Sequence, residues 1–129
     1  MPLLLAIGFG AALILPMLNL VSLLIPNAAA LVFPGWFQAG RHGPAGIEAT
    51  GQRIIFALGQ FLAYGLSLLP AGVCFAVVFF LGRTWLGDAL TVVLASGAAA
   101  AVLAAEVVAG VLVLGRLFER FDLSAEPSV

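Results

Sequence analysis

The amino-acid sequence predicts an all-α fold: a polytopic membrane protein with three transmembrane helices. Three observations carry this expectation. Hydrophobic residues make up 64% of the chain and charged residues only 9%, a balance whose apolar surface a small water-soluble domain could not cover. The apolar residues fall into three runs, about residues 3–25, 54–81 and 89–114, each longer than the ~20 residues a helix needs to cross a bilayer. No alternating strand pattern, internal repeat or composition shift marks a second domain, so residues 1–129 read as one transmembrane unit.

The first run, Leu3 to Ile25, is interrupted by Pro16 and Asn19, which a span tolerates as a kink and a polar point. Pro26-Asn27 then breaks the pattern. Asn27 is placed to cap a short helix, Ala28 to Val32, that either lies at the interface or extends the first span beyond a kink. Phe33-Pro34-Gly35-Trp36-Phe37 has the aromatic content of a membrane interface.

Residues 38–53 form the one long polar connection, with Gly40, Gly43, Gly46 and Pro44 favouring a loop and Ile47 to Arg53 able to begin a short amphipathic helix. These glycines neither follow a strand nor match a phosphate-loop spacing, so no nucleotide site is expected. In the second span, Ile54 to Leu81, the residues Gly59, Ala63, Ser67 and Ala71 recur every fourth position. They form a stripe where another helix can approach closely, and Phe61, Phe75, Phe79 and Phe80 supply bulk for lipid. Gly82 to Asp88 reads as a tight turn. The third span, Ala89 to Leu114, contains one ionisable residue, Glu106. Beyond Gly115 the chain alternates charge with bulky apolar residues, and Leu117, Phe118 and Phe121 share one side of an amphipathic tail over residues 115–129.

Charge narrows the partners. Arg41, Arg53, Arg83, Arg116 and Arg120 are the only basic residues and face six acids, leaving no basic surface for nucleic acid or anionic lipid. One cysteine, Cys74, forms no intrachain disulfide, and one histidine, His42, cannot build a multi-ligand metal site, so no metal and no cofactor are expected. No serine, histidine and carboxylate group together, and no paired intramembrane acids occur, which sets catalysis aside. With the loop and tail on one side, four arginines lie there and only Arg83 opposite. That places the loop and C-terminus in the cytoplasm and the N-terminus outside. Met1-Pro2 runs into Leu3 without a positively charged segment, so a secretory signal is not expected, and the chain reads as part of a membrane domain that needs further spans or partners.

Counted inward from the cytoplasmic boundary, Asn19, Gln60 and Glu106 fall roughly 9–15 Å deep and are expected to share one polar layer, with Tyr64 one turn beyond Gln60. Ala95, Ala99 and Gly110 lie at helical spacing from Glu106, allowing a neighbouring helix to come close. A carboxyl at this depth is costly unless it meets a donor, a cation or water. Two roles remain open for it: a tie between helices, or a station on a proton or cation path.

Residues 27–60, NAAALVFPGWFQAGRHGPAGIEATGQRIIFALGQ, and residues 115–126, GRLFERFDLSAE, resemble the C-terminal membrane portion of bacterial ABC exporter subunits of the permease type. With the spans between them, the resemblance covers most of the chain. It implies an all-helical permease in the bacterial inner membrane, part of a longer protein whose earlier spans precede Leu3. Export would be driven by ATP hydrolysis on a separate ATP-binding subunit. It also implies that Arg41, Glu48, Arg53, Phe118, Arg120 and Phe121, on the loop and the tail, are surfaces for that subunit, for the other permease half or for a second copy. The alternatives from other classes are a non-transporting membrane scaffold or regulatory subunit, and a self-assembling ion or proton pathway centred on Glu106.

Overall fold

The computed structural model describes residues 1–33 and 47–120. Three helices account for nearly all of them: α1 (Pro2–Val32), α2 (Ile47–Leu86) and α3 (Asp88–Arg120), and no strand occurs among the described residues. At 31, 40 and 33 residues, each is longer than the ~20 needed to cross hydrocarbon, and each carries an apolar stretch sufficient for a span.

The long polar connection lies largely outside the described residues, but the helix expected at Ile47 to Arg53 is present and runs without a break into the second span. Pro26 does not end the first helix. α1 continues through both Pro16 and Pro26 to Val32, so the short piece after Ile25 is an extension of the span. A proline inside a helix removes one backbone donor, and the neighbouring carbonyls need other partners. For Pro26 the carbonyl that loses its helical donor is that of Ser22, four residues back; the polar side chains nearby bond to other carbonyls, Asn27 donating its side-chain amide to Leu23 at 2.7 Å and Ser22 its hydroxyl to Asn19 at 2.7 Å. Asn27 is therefore not a helix cap. It is a side chain that bonds back onto its own helix beside the proline.

The second connection is tighter than expected. α2 stays helical through Leu86, and α3 starts at Asp88, leaving Gly87 alone between them with a φ of 74°. Only glycine adopts that left-handed conformation without a Cβ penalty. Thr91 closes the turn: its hydroxyl donates to the Gly87 carbonyl at 2.7 Å. At the end of the expected tail, α3 extends to Arg120, so Gly115 to Arg120 continue the third helix and do not form a separate one.

α3 is the centre of the molecule. It packs along both α1 and α2, which touch each other only sparingly. Its buried face repeats every fourth residue, through Thr91, Ala95, Ala99 and Leu103, with Ser96 alongside. The register of both neighbours follows from close approaches. A Cβ on Gly82 would meet Thr91, and Ser67 meets Glu106. In each pair the two residues lie equally far from Gly87 to within one residue, so α2 and α3 form an antiparallel hairpin. Gly10 abuts Ser96 and Gly110 abuts Leu24, the same sequence offset in both, so α1 and α3 run parallel.

The distribution of side-chain size is that of a protein solvated by lipid. The buried hydrophobic residues are mostly small, Ala6, Ala71, Ala95 and Ala99 with Val21 and Leu103, while Leu4, Phe61, Leu66, Leu81 and Phe80 stand exposed. In hydrocarbon there is no advantage in hiding leucine, and close backbone approach decides packing. Phe75 and Phe79 depart from the expected lipid-facing set: both are half-buried, Phe75 packs against the core, and the two rings stack with centroids 6.0 Å apart. Arg83 lies over the Phe79 ring at 5.8 Å.

Candidate functional site

The intramembrane carboxyl is built from the α2–α3 hairpin upward. The single-residue turn at Gly87 sets the register, and that register brings Ser67 opposite Glu106 some twenty residues away. The Ser67 hydroxyl donates to Glu106 Oε2 at 2.6 Å, a partly buried hydrogen bond between residues 39 apart in sequence. Around this level, Tyr64 and Leu68 of α2 and Val102, Leu103 and Val107 of α3 contribute to the hydrophobic core.

The three members of the expected polar layer part company. Glu106 is half-buried and meets Ser67. Asn19 is exposed, on the outer side of α1. By the hairpin register Gln60 lies seven residues short of Ser67, about 10 Å nearer the loop end, and it lines a cleft between α1 and α2. Depth counted from arginines assumed that Arg53 and Arg116 stand level. The turn at Gly87 instead places Arg53 opposite the end of α3 near Arg120.

Ser67 is the functional neighbour that sequence reasoning passed over as one member of the small-residue stripe. Its signal was present: among Gly59, Ala63, Ser67 and Ala71 it is the only one with a hydrogen-bonding side chain. The stripe itself divides. Ala71 is buried and Ser67 half-buried, whereas Gly59 and Ala63 are exposed and border the cleft. The face assigned to Glu106 also divides, since Gly110 turns to Leu24 of α1 while Glu106 turns to α2.

The cleft holds two adjoining hollows, of about 440 Å³ and 290 Å³, that share Ile25 and Gln60. The larger is walled by apolar side chains, among them Ala29, Val32, Ile55 and Phe56; the smaller adds Ser22, Phe61 and Tyr64. Neither has a charged lining residue among the described residues.

Of the expected partner surfaces, Arg53 and Phe118 are exposed, Phe118 at 55%. Glu48 and Arg120 sit in the terminal turns of α2 and α3, while Arg41 and Phe121 lie outside the described residues. No group of histidine, cysteine, aspartate and glutamate side chains suited to a metal ion occurs among the described residues.

These features define a multi-pass helical membrane protein whose spans are tied by small-residue contacts and one carboxyl–hydroxyl hydrogen bond. No protein-family model, no curated protein and no solved structure matches the chain.

Proposed function

We propose that this chain is a non-catalytic membrane-spanning component of a larger export assembly of the ABC type, working with a separate ATP-binding subunit in a bacterial inner membrane. The observation that carries the component reading is the Ser67–Glu106 hydrogen bond: the carboxyl within the spans is engaged between two helices of the same hairpin. A carboxyl so engaged supports a role in holding helices together and weighs against a Glu106-centred ion path, which would need further ionisable groups along its length. The ABC assignment rests on the resemblance of residues 27–60 and 115–126. In that arrangement the N-terminus faces outward, the loop and the end of α3 face the cytoplasm, and exposed Arg53 and Phe118 belong to the cytoplasmic docking surface.

A second reading, a non-transporting scaffold or regulatory subunit, is favoured by the same hydrogen bond, since a tie between helices serves assembly equally well. One experiment separates them. The tagged chain is isolated from its native membranes in mild detergent, its companions are identified, and export is followed after inactivating any ATP-binding companion. Recovery of an ATP-binding protein whose inactivation stops export supports the first reading. Stable companions with no ATP-binding member support the second.

A further inference from the structure

We propose that the cleft between α1 and α2 is a lateral binding site for a neutral, predominantly apolar, lipid-like molecule carrying one hydroxyl or carbonyl group, which hydrogen-bonds to Gln60. The proposal requires only that the helices lie in a bilayer and is independent of the export reading.

Chemistry at the wall selects the ligand. Together the hollows reach the size of a ligand pocket, whose usual range is about 300–1,000 Å³. Their lining is apolar except for Ser22, Gln60 and Tyr64, which cluster at the deeper end. Ser22 already donates to the Asn19 carbonyl. The Gln60 amide and the Tyr64 hydroxyl make no hydrogen bond among the described residues, although Gln60 borders both hollows. Asn27 shows the alternative, an amide that bonds back to its own helix. Polar groups left unpaired in hydrocarbon are costly, so Gln60 and Tyr64 favour an occupant that brings a matching donor or acceptor. The described lining residues of both hollows offer no charge opposite to a phosphate or ammonium group, which selects against a charged headgroup.

Shape separates a small molecule from a partner helix. Among the described residues the hollows extend over residues 22–33 of α1 and 55–64 of α2, about 15 Å along the helices. Toward the Gly87 turn, Ile14, Met17 and Val21 of α1 join Ala71 and Phe75 of α2 in one core cluster with α3. A transmembrane helix seated between α1 and α2 would need a furrow along most of the ~30 Å hydrocarbon thickness. The concavity is half that length.

The test places the full chain in phosphatidylcholine nanodiscs with a diazirine-bearing C16 alcohol, or with the same chain as its phosphate monoester, and maps photolabelled peptides by mass spectrometry. The alcohol is expected to label residues 22–33 and 55–64 in preference to other lipid-facing segments. Gln60→Leu should lower that labelling roughly fivefold, the worth of one intramembrane hydrogen bond, and Ala29→Trp should abolish it by filling the larger hollow. Leu112→Trp, on an exposed part of α3, should leave it unchanged and serves as the folding control. Equal labelling by the phosphate ester, uniform labelling of all lipid-facing segments, or labelling insensitive to both cleft substitutions would overturn the proposal. So would crosslinking of the cleft to a second polypeptide in place of the alcohol, which would make it a helix seat.

Discussion

Ser67 of α2 and Glu106 of α3 stand opposite one another across a hairpin whose turn is a single glycine, and the serine hydroxyl donates to the carboxyl at 2.6 Å. Isolated on separate spans, each polar group would have only lipid for company. Placed at distances from Gly87 that agree to within one residue, they satisfy each other and pin the register of the two helices.

Removing one partner should therefore cost more than replacing it by an isostere. Glu106→Gln keeps an acceptor for Ser67 and should leave hairpin stability nearly unchanged. Glu106→Leu and Ser67→Ala should each destabilise it, with a coupling of about 0.6–2 kcal/mol in a double-mutant cycle. Steric-trapping measurements of unfolding in detergent would read this directly; a coupling near zero contradicts the assignment.

Two glycine contacts between α1 and α3 should respond unequally to the same substitution. A Cβ on Gly10 would overlap Ser96 Oγ and lie 2.9 Å from Ser96 Cβ, an atom that cannot move without its backbone. A Cβ on Gly110 would overlap only the Cδ2 end of Leu24, whose Cγ stands 3.5 Å away. Gly10→Ala should cost about 1–3 kcal/mol, and Gly110→Ala less, since a leucine terminus can rotate. Equal losses in an unfolding assay would contradict the expected difference between the rigid Ser96 contact and the yielding Leu24 contact.

At the hairpin tip, Gly87→Ala forces an L-residue to a φ of 74°, with an expected cost of about 1–2 kcal/mol. The neighbouring Leu86→Ala, on an exposed helical residue, should cost less. Thermal unfolding of the two variants in the same detergent makes the comparison.

The same register predicts which cysteines meet. In a Cys74→Ala background, a Ser67→Cys, Glu106→Cys pair should form a disulfide readily on mild oxidation, whereas Gln60→Cys with Glu106→Cys should not. The reverse outcome would restore the single polar layer that counting from the arginines suggested.

What could be read from sequence, and what could not, divides along local and non-local physics. Three spans follow from apolar runs alone, because hydrocarbon imposes one length on any helix that crosses it. Local sequence leaves the course after Pro26 open between an interfacial piece and an extension of the span, and it reads Gly82 to Leu86 as turn where the helix continues. A proline inside a span costs one backbone hydrogen bond without of itself ending the helix, as α1 shows at Pro16 and Pro26, and a glycine such as Gly82 serves close packing as well as turning. Glu106 stood out at once as the lone carboxyl in its run. Its partner did not, because pairing across helices depends on where the turn falls to within a residue, and Gly87 was one of several candidates between Gly82 and Asp88. Asn19 lies at the depth expected of it, but it points outward. Rotation about the α1 axis is set by the contacts of Gly10 and Leu24, which no local pattern announces.

The most direct test of the component reading measures proton and potassium flux through proteoliposomes containing only the purified chain. With Glu106 engaged by Ser67 and used to join helices, flux should equal that of protein-free liposomes, and Glu106→Gln should change nothing. A selective flux that disappears in Glu106→Gln would contradict the account and make this carboxyl part of a conducting path.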